Sequence, residues 1–118
     1  MVMESIIREI AKYIYDTLGP GYSERVYHNA FEVSLRKRGI PYESERIIPI
    51  MFEGHVIGNI RADLIVDGTW IVELKSVKGS LNSANDIQIR QYMNLTGVPN
   101  GLLVNFSHTE CEINLVLK

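Results

Sequence analysis

The chain has 118 residues, the size of one domain, and its 46% hydrophobic and 22% charged residues exclude a disordered or fibrous protein. Twelve Lys and Arg stand against fourteen Asp and Glu, a net charge of −2, so the basic balance common among nucleic-acid binders is absent. Cys111 is the only cysteine, which excludes an internal disulfide and a cysteine-held iron–sulfur cluster and fits a reducing cytoplasm.

The opening Met1-Val2-Met3-Glu4-Ser5 lacks the basic and long apolar regions of a signal peptide. Ile6, Ile7, Ile10 and Ile14 at helical spacing predict a first helix over 2–17, ended by Leu18-Gly19-Pro20-Gly21. Ser23 is a good N-cap for a second helix, with Glu24 in the first turn, where the helix dipole favours a carboxylate. Tyr27, Ala30, Phe31 and Leu35 form its apolar stripe, and Arg36-Lys37-Arg38 followed by Gly39 close it. Residues 46–52, 55–66 and 69–76 read as strands separated by the turns Glu53-Gly54 and Asp67-Gly68. A loop over 77–82, a helix capped by Ser83 and stopped by Gly97, and strands over 101–106 and 112–117 complete the chain. No apolar run approaches the length of a membrane span, and no repeat or linker divides the sequence. The element order predicts one α/β domain over 1–118, a central mixed β-sheet flanked by helices.

The second and third strands carry the chemistry. Val56, Ile60, Ala62, Leu64 and Val66 on one, and Trp70, Val72 and Leu74 on the other, are small or apolar and occupy even positions. Asn59, Arg61, Asp63, Glu73 and Lys75 occupy odd positions. Pairing apolar with apolar matches Val66 with Trp70 across a three-residue loop, Asp67-Gly68-Thr69. It sets Asp63 opposite Glu73 on one face and Arg61 opposite Lys75. A two-residue turn would put Asp63 behind the sheet from Glu73. Two facing carboxylates repel, so a cation, a proton or water must offset them. Mg²⁺ prefers hard oxygen ligands and often takes one or two carboxylates plus water and phosphate. Lys75, beside that cation, could help acidify a water or offset charge on a phosphate. The plainer alternative is a solvated strand face with weak ion pairs.

Two further segments carry a resemblance. Gln88-Ile89-Arg90-Gln91-Tyr92 places Gln88 and Tyr92 on one helix face and matches the Gln-x-x-x-Tyr signature of RecB-like PD-(D/E)XK nucleases. Gly21-Tyr22-Ser23-Glu24-Arg25-Val26-Tyr27 spells the pattern of the GxxExxY protein family, which is similar to those nucleases. Arg61-Ala62-Asp63-Leu64, Ile71-Val72-Glu73-Leu74-Lys75 and Gly101-Leu102-Leu103-Val104-Asn105-Phe106 follow in the expected order. The chain thus resembles this superfamily over nearly its whole length after the first helix, although Ala62 stands where the motif is named for proline.

The resemblance implies a restriction-endonuclease-like core and metal-dependent hydrolysis of phosphodiester bonds, in DNA more than in RNA. It implies that Asp63, Glu73 and the backbone carbonyl of Leu74 ligate Mg²⁺ or Mn²⁺, with Glu24 supporting the metal. Lys75 would be the catalytic lysine, Gln88 would orient it, the water or a phosphate, and Tyr92 would pack beneath or touch the nucleic-acid backbone. A groove above the cluster should be lined by Lys75 and some of Arg36, Lys37, Arg38, Arg61, Lys78 and Arg90. A domain so bare could draw substrate choice from a homodimer or a protein partner, with no membrane involved. Simpler roles stay open: Glu24 as a first-turn acid, Gln88 and Tyr92 as ordinary helix-face residues. A second function stays open too, a nuclease-like fold that binds nucleic acid or protein without cutting. His28, His55 and His108 lack ligand partners at metal-site spacing, and His108-x-x-Cys111 offers too few for zinc.

Overall fold

The computed structural model describes residues 2–79 and 81–117; Ser80, inside the loop expected over 77–82, lies outside them. The spaced isoleucines make α1 (Met3–Leu18) amphipathic, and it buries Ile7, Ile10, Ala11 and Ile14. The second helix, α2 (Glu24–Lys37), buries Tyr27, Phe31 and Leu35 as expected, and His28 besides. Then follow β1 (Tyr42–Phe52), β2 (His55–Val66), β3 (Trp70–Lys75), α3 (Ser83–Thr96), β4 (Asn100–Phe106) and β5 (Cys111–Leu117). Two boundaries differ from expectation for physical reasons. β1 begins four residues before the isoleucine pattern because Tyr42, Glu43 and Ser44 pair with Val66, Ile65 and Leu64. The cap of α3 is Asn82, not Ser83: its side chain accepts the Ala84 N–H (3.0 Å), while Asn85 accepts the Asn82 N–H (3.2 Å).

The sheet runs β1-β2-β3-β4-β5, antiparallel except for the parallel pair β3–β4. A parallel pair needs a long crossover, which α3 supplies. Leu64, Val66, Val72, Leu74, Leu102 and Val104 pack with α1 and α2 on one face. Ile65, Ile71, Leu103 and Val116 meet Ile89, Tyr92 and Met93 of α3 on the other. Strands covered on both faces read as continuous apolar runs, as Trp70-Ile71-Val72 of β3 and Leu102-Leu103-Val104 of β4 do. α3 lies so close to β4 that a Cβ on Gly101 would fall 2.6 Å from Ile89 Cγ2.

The β2–β3 register is the expected one, Val66 opposite Trp70. Asp67 and Gly68 take positive φ in a turn closed by the Thr69 N–H on Val66 O (3.1 Å), and Thr69 is the extra residue that keeps even with even. The expectation that the even positions of β2 share one face fails at Asp63. Leu64 and Val66 belong to the α1–α2 core, but Ala62 and its neighbour Ile60 pack in the α3 core. Across β1, between the pairs Ser44–Leu64 and Arg46–Ala62, sits Glu45 at φ 55. A left-handed residue in a strand breaks the pleat, and the alternation changes hands there.

Candidate functional site

The β2–β3 ladder ends at Leu64–Val72. Beyond it, backbone groups of the two strands bond carboxylates rather than each other. The Asp63 N–H donates to Glu73 Oε1 (3.0 Å), and the Leu74 N–H donates to Asp63 Oδ2 (2.8 Å). Each carboxyl is held by one oxygen, which leaves the other for a further partner. Glu73 alternates with Ile71 on the α3-facing series, whereas Asp63 and Leu74 line a cleft towards α2. The two carboxyls therefore meet in the opening between the strands rather than on a shared face. The ladder does not extend to the expected Arg61–Lys75 pair either; Arg61 pairs with Ile47 of β1 and lines the cleft.

Glu73 is 4% exposed. Burial first, then the charge of Asp63, push its carboxyl up to about 8, with Lys75 acting the other way. Burial and the facing charge thus favour a proton on Glu73, one of the ways to offset facing carboxylates. Lys75, two residues on, is half-buried, and the chain after it is fixed by the buried Asn105, its ladder neighbour on β4. That amide accepts the Val77 N–H (3.0 Å) and donates to the carbonyls of Val77 (3.3 Å) and Gly79 (3.1 Å).

The cleft measures about 130 Å³ and is lined by Glu24, Arg25, His28, Glu45, Arg61, Asp63 and Leu74. Glu24, His28 and Glu32 follow one another at helical spacing along α2. The His28 ring Nε2 lies 2.8 Å from Ser44 Oγ and 3.1 Å from Glu32 Oε2, and the Tyr42 hydroxyl donates to Glu32 Oε1 (3.0 Å), so α2 is tied to the start of β1. Arg25 donates to Glu45 Oε1, and Arg61 stands 3.6 Å from the same oxygen. The bond from Arg25 holds the Glu45 carboxyl below its usual range, and Glu45 in turn raises the Arg25 guanidinium.

Local structure explains the spacing of Gly21, Glu24 and Tyr27. Gly21 takes φ 104, which favours glycine. One turn past Glu24, the Tyr27 hydroxyl donates to Gly19 O (2.6 Å) and accepts the Tyr22 N–H (3.3 Å), and its ring stacks on Phe106 with centroids 4.2 Å apart. The same loop accepts Ser76 Oγ at Tyr22 O (2.7 Å), next to Lys75. Tyr27 thus pins the loop, and Glu24 is set at the cleft.

Other expected residues lie elsewhere. Gln88 is exposed on α3 and makes no side-chain hydrogen bond among the described residues. Tyr92 is 2% exposed and its hydroxyl donates to Arg46 O (3.4 Å), so it packs within the core and does not offer its ring to a nucleic acid. Arg90 donates to Leu117 O (3.1 Å); the ladder sets Leu117 beside Asn100 and Trp70, at the end of the sheet away from Lys75. Arg36 is engaged by Tyr42 and Glu32, Arg38 by Glu9, and Lys78 is exposed in the loop after β3. Of the basic residues expected around the groove, Arg61 alone lines the cleft among the described residues. Arg25, His28 and Glu45 line it without having been expected. Arg25 lies inside the Gly21–Tyr27 motif and His28 one turn after Glu24, so both were within reach of helical spacing.

Among the described residues, no set of three or more His, Cys, Asp and Glu side chains is arranged to hold a metal. Glu24 shares the cleft with Asp63 without completing such a set. The pair Asp63–Glu73 still suits a small divalent cation. Its donors are hard carboxylate oxygens, they are prepositioned by backbone N–H groups, and their burial leaves a proton where a cation would relieve the repulsion. Mg²⁺ keeps several waters and needs few protein ligands.

No curated protein sequence matches the chain. A solved structure described as "Crystal structure of SSO0001" is similar to it, with a TM-score of 0.60 and 19% identity. The likeness covers 80% of this chain and 49% of that one, so the chain spans about half the length of that protein. At that identity the similarity speaks for the fold, a restriction-endonuclease-like α/β domain. A family model for the PD-(D/E)XK nuclease superfamily matches residues 2–116, which takes in α1, α2, the strand opening with Asp63, Glu73 and Lys75, and all of α3. On that match over almost the whole sequence, the chain belongs to the PD-(D/E)XK nuclease superfamily.

Proposed function

We propose that this domain is a metal-dependent nuclease that hydrolyses phosphodiester bonds, in DNA rather than RNA, and that within the superfamily it is a GxxExxY-type member. The observation that carries this reading is the strand opening, where two carboxyls fixed by backbone N–H groups face each other beside a lysine. Asp63 and Glu73, with the Leu74 carbonyl, would hold Mg²⁺ or Mn²⁺. When bound, the cation supplies Lewis acidity towards a phosphoryl oxygen and lowers the pKa of a water.

The chain's own groups do the rest. Asp63 and Glu73 are oriented before substrate arrives, so little reorganisation accompanies the reaction. Lys75 places a positive charge where negative charge develops on the phosphate. Glu24, at the cleft, can accept a hydrogen bond from a water, and the exposed Gln88 amide is available to a phosphate or to Lys75. A cytoplasmic setting, and a homodimer or protein partner for substrate choice, complete the reading.

The test is incubation of the purified protein with labelled single- and double-stranded DNA and RNA, in Mg²⁺, Mn²⁺ or EDTA, beside calorimetry of Mn²⁺ binding. Glu73→Ala is expected to lose both cation binding and cleavage. Lys75→Ala is expected to bind the cation and cut about 10²–10³-fold more slowly. An unmutated protein that binds no Mn²⁺ and cuts no nucleic acid overturns the catalytic reading in favour of binding without cleavage.

A further inference from the structure

We propose that Arg25 and Arg61 form a fork for a backbone phosphate of the nucleic acid beside Asp63, and that Glu45 occupies this fork when no nucleic acid is bound. The inference rests on the nuclease reading above and assigns to that site its means of gripping substrate.

The two arginines come from different elements, α2 and β2, yet both approach the same atom, Glu45 Oε1. Two guanidiniums around one anionic oxygen make the arrangement that receives a phosphate oxygen, and guanidinium stays charged at any working pH. Their side chains are 55% and 56% exposed, so an incoming phosphate can reach them. The remaining charged side chains of the cleft, Glu24, Glu45 and Asp63, would repel a phosphodiester. Arg25 and Arg61 are therefore what makes the cleft receptive. Glu45 is positioned by the same kink that turns the β2 alternation: at φ 55 it lies across from Asp63 and lines the cleft.

An internal carboxylate on the fork has a consequence. Any anion must displace Glu45, so binding is weakened for anions in general, and a long phosphodiester with additional contacts is favoured over a small one. The purely structural alternative is a pair of exposed bridges to Glu45 of β1, one from Arg25 of α2 and one from Arg61 of the neighbouring strand β2. Such bridges contribute little to stability and nothing to ligand binding.

The fork is tested by fluorescence anisotropy with a fluorescein-labelled DNA duplex in EDTA, at several salt concentrations, for the unmutated protein and four variants. Arg25→Ala and Arg61→Ala are each expected to weaken binding on the order of tenfold and to lower the slope of log affinity against log salt by about 1. Arg25→Lys, which keeps the charge, is expected to keep the slope and lose part of the affinity. Glu45→Asn removes the competing charge with a residue that tolerates left-handed backbone, and is expected to bind several-fold tighter. Thermal melts confirm that each variant is folded. Arginine variants that bind DNA with unchanged affinity and slope, while the unmutated protein still cuts with Mg²⁺, overturn the fork and leave the nuclease reading intact. DNA binding that depends on both arginines in a protein that never cuts supports the fork and removes the nuclease reading. An unmutated protein that binds no duplex even at low salt overturns the fork.

Discussion

Replacing Glu73 with Gln removes one charge and keeps the shape. The amide oxygen can still accept the Asp63 N–H, and its NH₂ can donate to the Asp63 carboxylate. In the unmutated protein, burial and then Asp63 raise Glu73 from an ordinary 4.5 to about 8. The folded state thus keeps a proton that the unfolded chain releases near 4.5. The associated stability is fully present below that pH and is lost as pH rises through about 8. At about 1.36 kcal/mol per pH unit this interval sets a ceiling on the order of 5 kcal/mol. Local relaxation and water entry reduce it, so a loss of roughly 2–4 kcal/mol between about pH 5 and pH 9 is expected. That is a large share of the stability of an ordinary domain, about 5–15 kcal/mol. Urea unfolding in EDTA across this range measures it. The unmutated protein should weaken with rising pH more steeply than Glu73→Gln, and the variant should be the more stable of the two at the alkaline end. Titrating groups that do not interact with Glu73 cancel in the difference, which therefore reports the Asp63–Glu73 pair. Adding Mg²⁺ at alkaline pH should stabilise the unmutated protein and leave Glu73→Gln unchanged, because a ligand that binds only the folded carboxylate pair shifts only that protein. Parallel stability curves for the two proteins in EDTA would refute the buried, repelled carboxyl pair.

Two further substitutions probe the scaffold that holds the site. Gly101→Ala sets a methyl 2.6 Å from Ile89 Cγ2 and 3.2 Å from Met93 Sδ; methionine can yield, but the stiff isoleucine cannot. The urea midpoint should fall, corresponding to about 1–3 kcal/mol of overpacking, with the slope unchanged. Tyr27→Phe keeps the ring stack on Phe106 and deletes the hydroxyl that bonds Gly19 O and Tyr22 N–H. A loss of about 1–2 kcal/mol by thermal or urea unfolding is expected, and no loss would show that the hydroxyl does not pin the loop.

Much of the fold could be read locally. Gly19-Pro20-Gly21, Gly39 and Gly97 marked helix ends because those positions need backbone conformations or terminations that few residues supply. The β2–β3 register followed from matching apolar positions across the hairpin, since a slip of one residue would have sent Leu64 and Val66 to the opposite face from Val72 and Leu74. The first residues of β1 gave no such signal. Tyr42-Glu43-Ser44 alternates weakly and is a strand because the end of β2 offers it backbone partners. Ser83 and Asn82 are both good caps, and the reciprocal bond from Asn85 decides for Asn82. On α3 the spacing showed that Gln88 and Tyr92 are neighbours, but the close seat over Gly101 sets which side of the helix meets the sheet, so Tyr92 turns inward and Arg90 reaches Leu117.

By itself, then, the sequence determined what short-range physics controls: the helices with their buried stripes, the turn that brings Asp63 near Glu73 and Lys75, and the loop motif that carries Glu24. Only the tertiary structure decided how these groups face one another. The left-handed Glu45, the parting of β2 from β3, and the meeting of Arg25 with Arg61 on one carboxylate oxygen all join segments distant along the chain. Such contacts depend on strand pairing and helix packing, whose free energies are spread over many residues, so no single spacing in the sequence encodes them.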